Sequence, residues 1–111
     1  MASGINAATL HYEKNNCKVE TGDLILMDVG ASYNNYSADV TRCFPAGPTF
    51  SERQKQVYRA VLEVQKRVIE LIKPGIALST LNISARDWLA EQMVSLGLIT
   101  DTKDVALYYM H

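Results

Sequence analysis

Asn34-Asn35 separates two runs of strand-forming residues, 24–33 and 36–44, and no other stretch limits the fold of this chain as strongly. Asparagine tolerates the positive φ that both central residues of a type I′ turn require, so the pair predicts a two-residue β-hairpin. A two-residue turn also fixes register. It sets Tyr33 opposite Tyr36 as an aromatic pair, Gly30 opposite Asp39, and Asp28 opposite Thr41. Pro45, Gly47 and Pro48 end the second strand.

Asp28 and Asp39 lie eleven positions apart, flanked by valine, leucine, isoleucine and alanine. The hairpin register puts both on one face with Cβ atoms within about 7–8 Å, close enough to flank a pair of ions roughly 3.5–4 Å apart. Gly30, without a side chain, leaves the intervening space open, and Thr41 is placed to hydrogen-bond a carboxylate from behind. Carboxylates in a half-buried apolar setting need a cation or a donor to offset their desolvation, and a divalent metal meets that need. The alternative is two aspartates on the solvated face of an antiparallel hairpin, and the pair alone leaves both readings open.

Beyond residue 50, Val57, Val61, Val64, Val68, Leu71 and Ile72 recur at helical spacing, with Ser51 as cap and Glu52 complementing the helix dipole. This predicts a helix over 51–73, stopped by Pro74-Gly75. A second helix, capped by Ser79 or Thr80, carries a packing stripe of Leu81, Ala85, Trp88, Leu89, Met93 and Leu96 and ends at Gly97. Residues 98–103 are expected to connect, and 105–110 to begin a strand without a partner, so the chain reads as cut at His111. Residues 1–12 show no sustained period and are expected to form loop with one short strand. The whole, 1–111, is expected to be one partial domain with no separate second domain.

Eleven basic against twelve acidic side chains give a formal charge of −1, with no basic block for nucleic acid to bind. No apolar run reaches the roughly 20 residues that span a bilayer, and the first ten residues lack a secretion signal, so a membrane is not expected as partner and the cytoplasm is the expected location. Cys17 and Cys43 are expected to be reduced thiols.

The words Asp28-Val29-Gly30-Ala31 and Tyr36-Ser37-Ala38-Asp39-Val40-Thr41-Arg42-Cys43-Phe44-Pro45, preceded by Leu10-His11-Tyr12, resemble the pita-bread metallopeptidases, in the Xaa-Pro aminopeptidase (aminopeptidase P) and prolidase branch. Cys43 stands where that family usually has threonine. The resemblance implies an α+β fold, the first half of a pita-bread domain built from an antiparallel hairpin and two helices. It implies two divalent ions, manganese foremost with cobalt or zinc as alternatives, that activate a water against the N-terminal Xaa-Pro bond of a proline-containing peptide. Asp28 would be a terminal ligand of one ion and Asp39 would bridge both, while one histidine and two glutamates from later sequence would complete the set. His11 matches a histidine beside the scissile bond, suited to proton handling near neutral pH. His111 matches the first histidine of the family's His-Gly-x-x-His, which lines the substrate site without binding metal. With two of five ligands, the chain alone is expected to be inactive and to bind metal weakly, and half of the family's sheet, with an edge and apolar surface uncovered, is expected to form a homo-oligomer. A prolidase acting on dipeptides and a pita-bread binding module without catalysis are the alternatives, and retention of His11, Asp28 and Asp39 argues against the second.

Overall fold

In the computed structural model, which describes residues 1–109, the chain divides into two units, Met1–Ser51 and Glu52–His111. The first unit is built on an open antiparallel sheet. Strand β1 (Ala2–Ser3) pairs with β2 (Leu24–Val29), and β2 pairs in turn with β5 (Val40–Pro45), which forms the far edge. Between β2 and β5 the chain makes the tip strands β3 (Ser32–Tyr33) and β4 (Tyr36–Ser37).

The turn chemistry predicted from Asn34-Asn35 holds, with φ of 48° and 66° at the two residues. The register follows from it: Tyr33 pairs with Tyr36 and Asp28 with Thr41. The hairpin is nevertheless not two unbroken strands. Residues 30–31 and 38–39 leave the ladder, so Gly30 and Asp39 are not a strand pair. The two backbones approach closely there, so that a Cβ at Gly30 would clash with the carbonyl oxygen of Ala38. Across the same break the Ala38 amide donates to the Ala31 carbonyl at 2.8 Å. Ahead of β2, residues 4–8 form a 3₁₀ helix where loop was expected, followed by His11 at a positive φ of 52°.

The second unit holds helices α1 (Glu52–Leu71) and α2 (Leu78–Ser95). Helix α1 stops two residues short of the predicted Lys73, with a turn through Gly75 at φ 86°. Helix α2 begins earlier than Ser79 or Thr80 would set it. Ala77, extended and without a capping side chain, is its N-cap, so both hydroxyl residues lie in the first turn. Its end is as expected: Gly97 at φ 67° and Leu98 return their amides to Val94 and Met93, both at 2.9 Å, a Schellman closure.

Of the stretch 105–110 predicted as a strand, residues 105–107 lie in a 3₁₀ helix, Thr102–Leu107, and Met110 lies outside the described residues. Asp101 and Asp104 explain the difference by forming a reciprocal cap, with the Lys103 amide on Asp101 at 2.9 Å and the Asp101 amide on Asp104 at 3.4 Å. That turn packs Val105 against Ala90 and Ile99, with Met93 and Tyr109 alongside, making the core of this unit. Trp88 on α2 is half-buried, and the Arg67 guanidinium sits over its ring at 4.1 Å. Together the open antiparallel sheet and the helices make an α+β fold.

Candidate metal centre

Asp28 occupies the fifth position of β2, opposite Thr41 in β5. Directly opposed residues on antiparallel strands project to one face, and the Thr41 hydroxyl uses that proximity to donate to Asp28 Oδ1 at 3.2 Å. On the other face of the same strands lie Met27 opposite Arg42 and Val29 opposite Val40. Arg42 turns its guanidinium back to the Thr41 carbonyl, 2.8 Å away. No ion pair joins it to a carboxylate among the described residues.

Asp39 precedes β5 by one residue, in the segment that leaves the ladder beside Gly30. Both aspartates are exposed, which corrects the expectation of a half-buried setting: neither charge is forced to seek a cation by desolvation within this chain. Gly30 also has a different role from the open space expected of it. Its missing Cβ admits the Ala38 carbonyl, and that contact fixes the backbone on which Asp39 is carried. The signal was present in the sequence, since a glycine inside a strand pattern often marks close approach of another backbone.

His11 is exposed, in the turn that follows the first 3₁₀ helix. A positive φ at a non-glycine residue is uncommon, though histidine tolerates it better than most side chains, and it singles out this residue in a way the sequence did not foretell. Next to it, Tyr12 donates its hydroxyl to Cys17 Sγ at 3.4 Å, and this bond holds the phenol above its ordinary 10.0. Cys17 and Cys43 are free thiols, as expected. The structure thus joins Asp28 to Thr41 directly, while no hydrogen bond links Asp39 or His11 to them among the described residues. His111 lies outside the described residues. Among those described, no three His, Cys, Asp or Glu side chains gather closely enough to hold a metal ion. What remains is a pair of hard oxygen donors on one hairpin, a donor type suited to a hard divalent cation.

A hairpin carrying an eleven-residue aspartate interval, followed by two helices, defines a class. The chain belongs to metallopeptidase family M24, the pita-bread family, whose model matches residues 1–111. Within it the chain falls in the Xaa-Pro aminopeptidase branch. It is 41% identical over 113 residues to Xaa-Pro aminopeptidase 3 of Dictyostelium discoideum, covering 100% of this chain and 22% of that protein. A solved Bacillus anthracis structure, provisionally assigned to aminopeptidase P, is 46% identical with a TM-score of 0.92, over 99% of this chain and 26% of its own. The zinc-substituted Escherichia coli aminopeptidase P, solved with product, is 32% identical with a TM-score of 0.84, over 95% of this chain and 24% of its own. The chain therefore spans about a quarter of the length of these relatives.

Alanine variants of the Escherichia coli enzyme with solved structures replace a histidine, an aspartate 17 positions further on, and a second aspartate 11 beyond that. His11, Asp28 and Asp39 repeat both intervals. A further histidine and a glutamate replaced in that enzyme lie 79 and 112 positions past its second aspartate. Only 72 residues follow Asp39 here.

Proposed function

We propose that this chain supplies part of the active centre of a dinuclear-metal peptidase that hydrolyses the N-terminal Xaa-Pro bond of proline-containing peptides. Asp28 and Asp39 are its two metal ligands, His11 is the catalytic group beside the scissile bond, and His111 lines the substrate site. The observation that carries this reading is the shared pair of intervals, 17 and 11, between this chain and the substituted positions of the Escherichia coli enzyme. The chemistry agrees with it, since carboxylate oxygens favour manganese, with cobalt or zinc as further occupants. Bound divalent ions supply Lewis acidity and lower the pKa of a coordinated water. The chain's own groups do the rest: the aspartates fix where positive charge sits, and the exposed imidazole of His11 offers ring nitrogens that donate or accept a hydrogen bond at the scissile bond.

With two ligands from this chain, affinity is that of an open oxygen site, a dissociation constant of about 0.1–1 mM or weaker. Cytoplasmic location and self-association belong to the same proposal; among the described residues no helix is long and apolar enough to cross a membrane.

Manganese titrated into the isotopically labelled chain tests the assignment through paramagnetic broadening of amide signals. The expected outcome is broadening centred on Asp28 and Asp39, lost in Asp28→Asn and Asp39→Asn, with no cleavage of Xaa-Pro peptides by the chain alone. Broadening centred elsewhere, or unaffected by both substitutions, would refute the ligand assignment. Cleavage by the 111-residue chain would refute its incompleteness.

A further inference from the structure

We propose that Thr41 is a positioning residue for Asp28, fixing the rotation of its carboxylate so that one edge is presented to a cation before any cation arrives. The inference rests on the assignment of Asp28 as a ligand and concerns how that ligand is held. Three features carry it. Thr41 is the direct cross-strand partner of Asp28, so the β2–β5 ladder, and not a flexible loop, sets the distance between them. Its hydroxyl donates to Oδ1 at 3.2 Å, which engages one of the carboxylate's roughly four lone-pair sites and leaves both oxygens a free lone pair. Threonine is also stiff at χ1, because two heavy atoms branch at Cβ, so the donor is held by its own backbone.

An exposed carboxylate otherwise rotates freely about its terminal torsion, and binding must then halt that rotation. A fixed donor removes part of this cost in advance. The hydroxyl gives a proton without adding charge, so the carboxylate keeps its full negative charge for the cation. Arg42, the next residue along the strand, is occupied on the Thr41 carbonyl. It lies on the opposite face of the strands from Asp28, so it does not compete with a metal for that carboxylate.

A purely structural role for Thr41, holding the hairpin together, makes a different prediction from a positioning role. The experiment compares the unchanged chain with Thr41→Val, which keeps the shape and strand preference, Thr41→Ser, which keeps the donor, and Asp28→Asn. Manganese affinity is read from amide broadening near residue 28, and hairpin integrity from hydrogen exchange of the β2 amides. We expect Thr41→Val to weaken manganese binding about tenfold, the lower end of the effect of removing a ligand's outer partner, with exchange protection of β2 unchanged. Thr41→Ser should lose less than Thr41→Val, because it retains the hydroxyl though not the branched Cβ that holds it. Equal affinity in Thr41→Val and the unchanged chain would overturn the proposal, as would a loss that only parallels lost β2 protection or that serine fails to restore. Should Asp28→Asn leave affinity intact, the ligand assignment itself falls and the positioning role falls with it. Loss in Asp28→Asn with none in Thr41→Val defeats the positioning role alone.

Discussion

The hairpin unit and the helical unit solve opposite problems. The helical unit buries small and branched side chains: Ala90 is 2% exposed, Val105 5% and Ile99 8%, and its polar groups make caps, surface ion pairs and a cation–π contact. The hairpin unit has Ala2 as its buried hydrophobic residue and leaves Val29, Val40 and Phe44 substantially open. It is held by the backbone: a register fixed by Asn34-Asn35, a β2–β5 ladder, and a glycine pressed by a carbonyl. The proposed site residues within the described chain, His11, Asp28, Asp39 and Thr41, all lie in this second kind of structure. Both carboxylates are exposed, so hydrogen-bonded backbone places them here and no surrounding core does.

If that contrast is right, the largest effect of a single methyl group falls in the hairpin. Gly30→Ala drives a Cβ into the Ala38 carbonyl oxygen, where backbone must move, and is expected to destabilise the hairpin by about 3–4 kcal/mol. Hydrogen exchange of the β2 amides measures it, with manganese-induced broadening at Asp39 lost in parallel. Protection equal to that of the unchanged chain would break the comparison, since it would mean the close approach positions nothing. In the helical unit the corresponding change is a core truncation. Ile99→Ala removes packing against Ala90 and Val105 and is expected to cost about 2–3 kcal/mol, read by denaturation followed through the single tryptophan, Trp88. A cost below about 0.5 kcal/mol would show that this cluster is not the core of its unit.

Local chemistry was legible where it depended on adjacent residues. Asn34-Asn35 disclosed the turn and with it the Asp28 to Thr41 pairing, and Gly97 disclosed the end of α2. What failed depended on contacts between distant atoms. Val105 to Tyr109 has the composition of a strand, but Asp101 and Asp104 cap a 3₁₀ turn there and Val105 packs onto α2, so tertiary contact overrode propensity. The Ala38 carbonyl over Gly30 breaks a hairpin whose alternation looked continuous. The apolar neighbours of the aspartates suggested burial, yet neighbours in sequence alternate faces along a strand and cannot report what covers either face. Of the candidate site, the intervals between His11, Asp28 and Asp39 were readable, whereas the exposure of both carboxylates and the left-handed backbone of His11 were not.

A smaller perturbation sharpens the account of the helical unit. The Arg67 guanidinium over Trp88 should contribute about 0.5–1 kcal/mol, so Arg67→Gln is expected to lower stability by that amount and to shift the emission of Trp88. Unchanged emission would mean the contact is not made in solution.

The smallest effects divide the two units by pH. In the helical unit, Glu52 at the start of α1 accepts from Lys55 Nζ at 2.7 Å, and that bond, followed by the charge of Lys55, holds its carboxyl below the ordinary 4.5. A carboxyl depressed in the folded state stabilises it above the unfolded value and loses that contribution as pH falls through the folded value, so the advantage over Glu52→Gln should be full near about pH 6 and vanish in acid. In the hairpin unit, Tyr12 has the opposite sense: its donation to Cys17 favours the neutral phenol and raises it above 10.0. Its contribution is full below 10.0 and is lost as pH rises through the raised value, so Tyr12→Phe should match the unchanged chain only at strongly alkaline pH. Urea midpoints of the two variants against the unchanged chain, measured across pH, would show one difference closing in acid and the other in alkali. Two differences closing at the same end would remove the distinction between the units at the level of their surface hydrogen bonds.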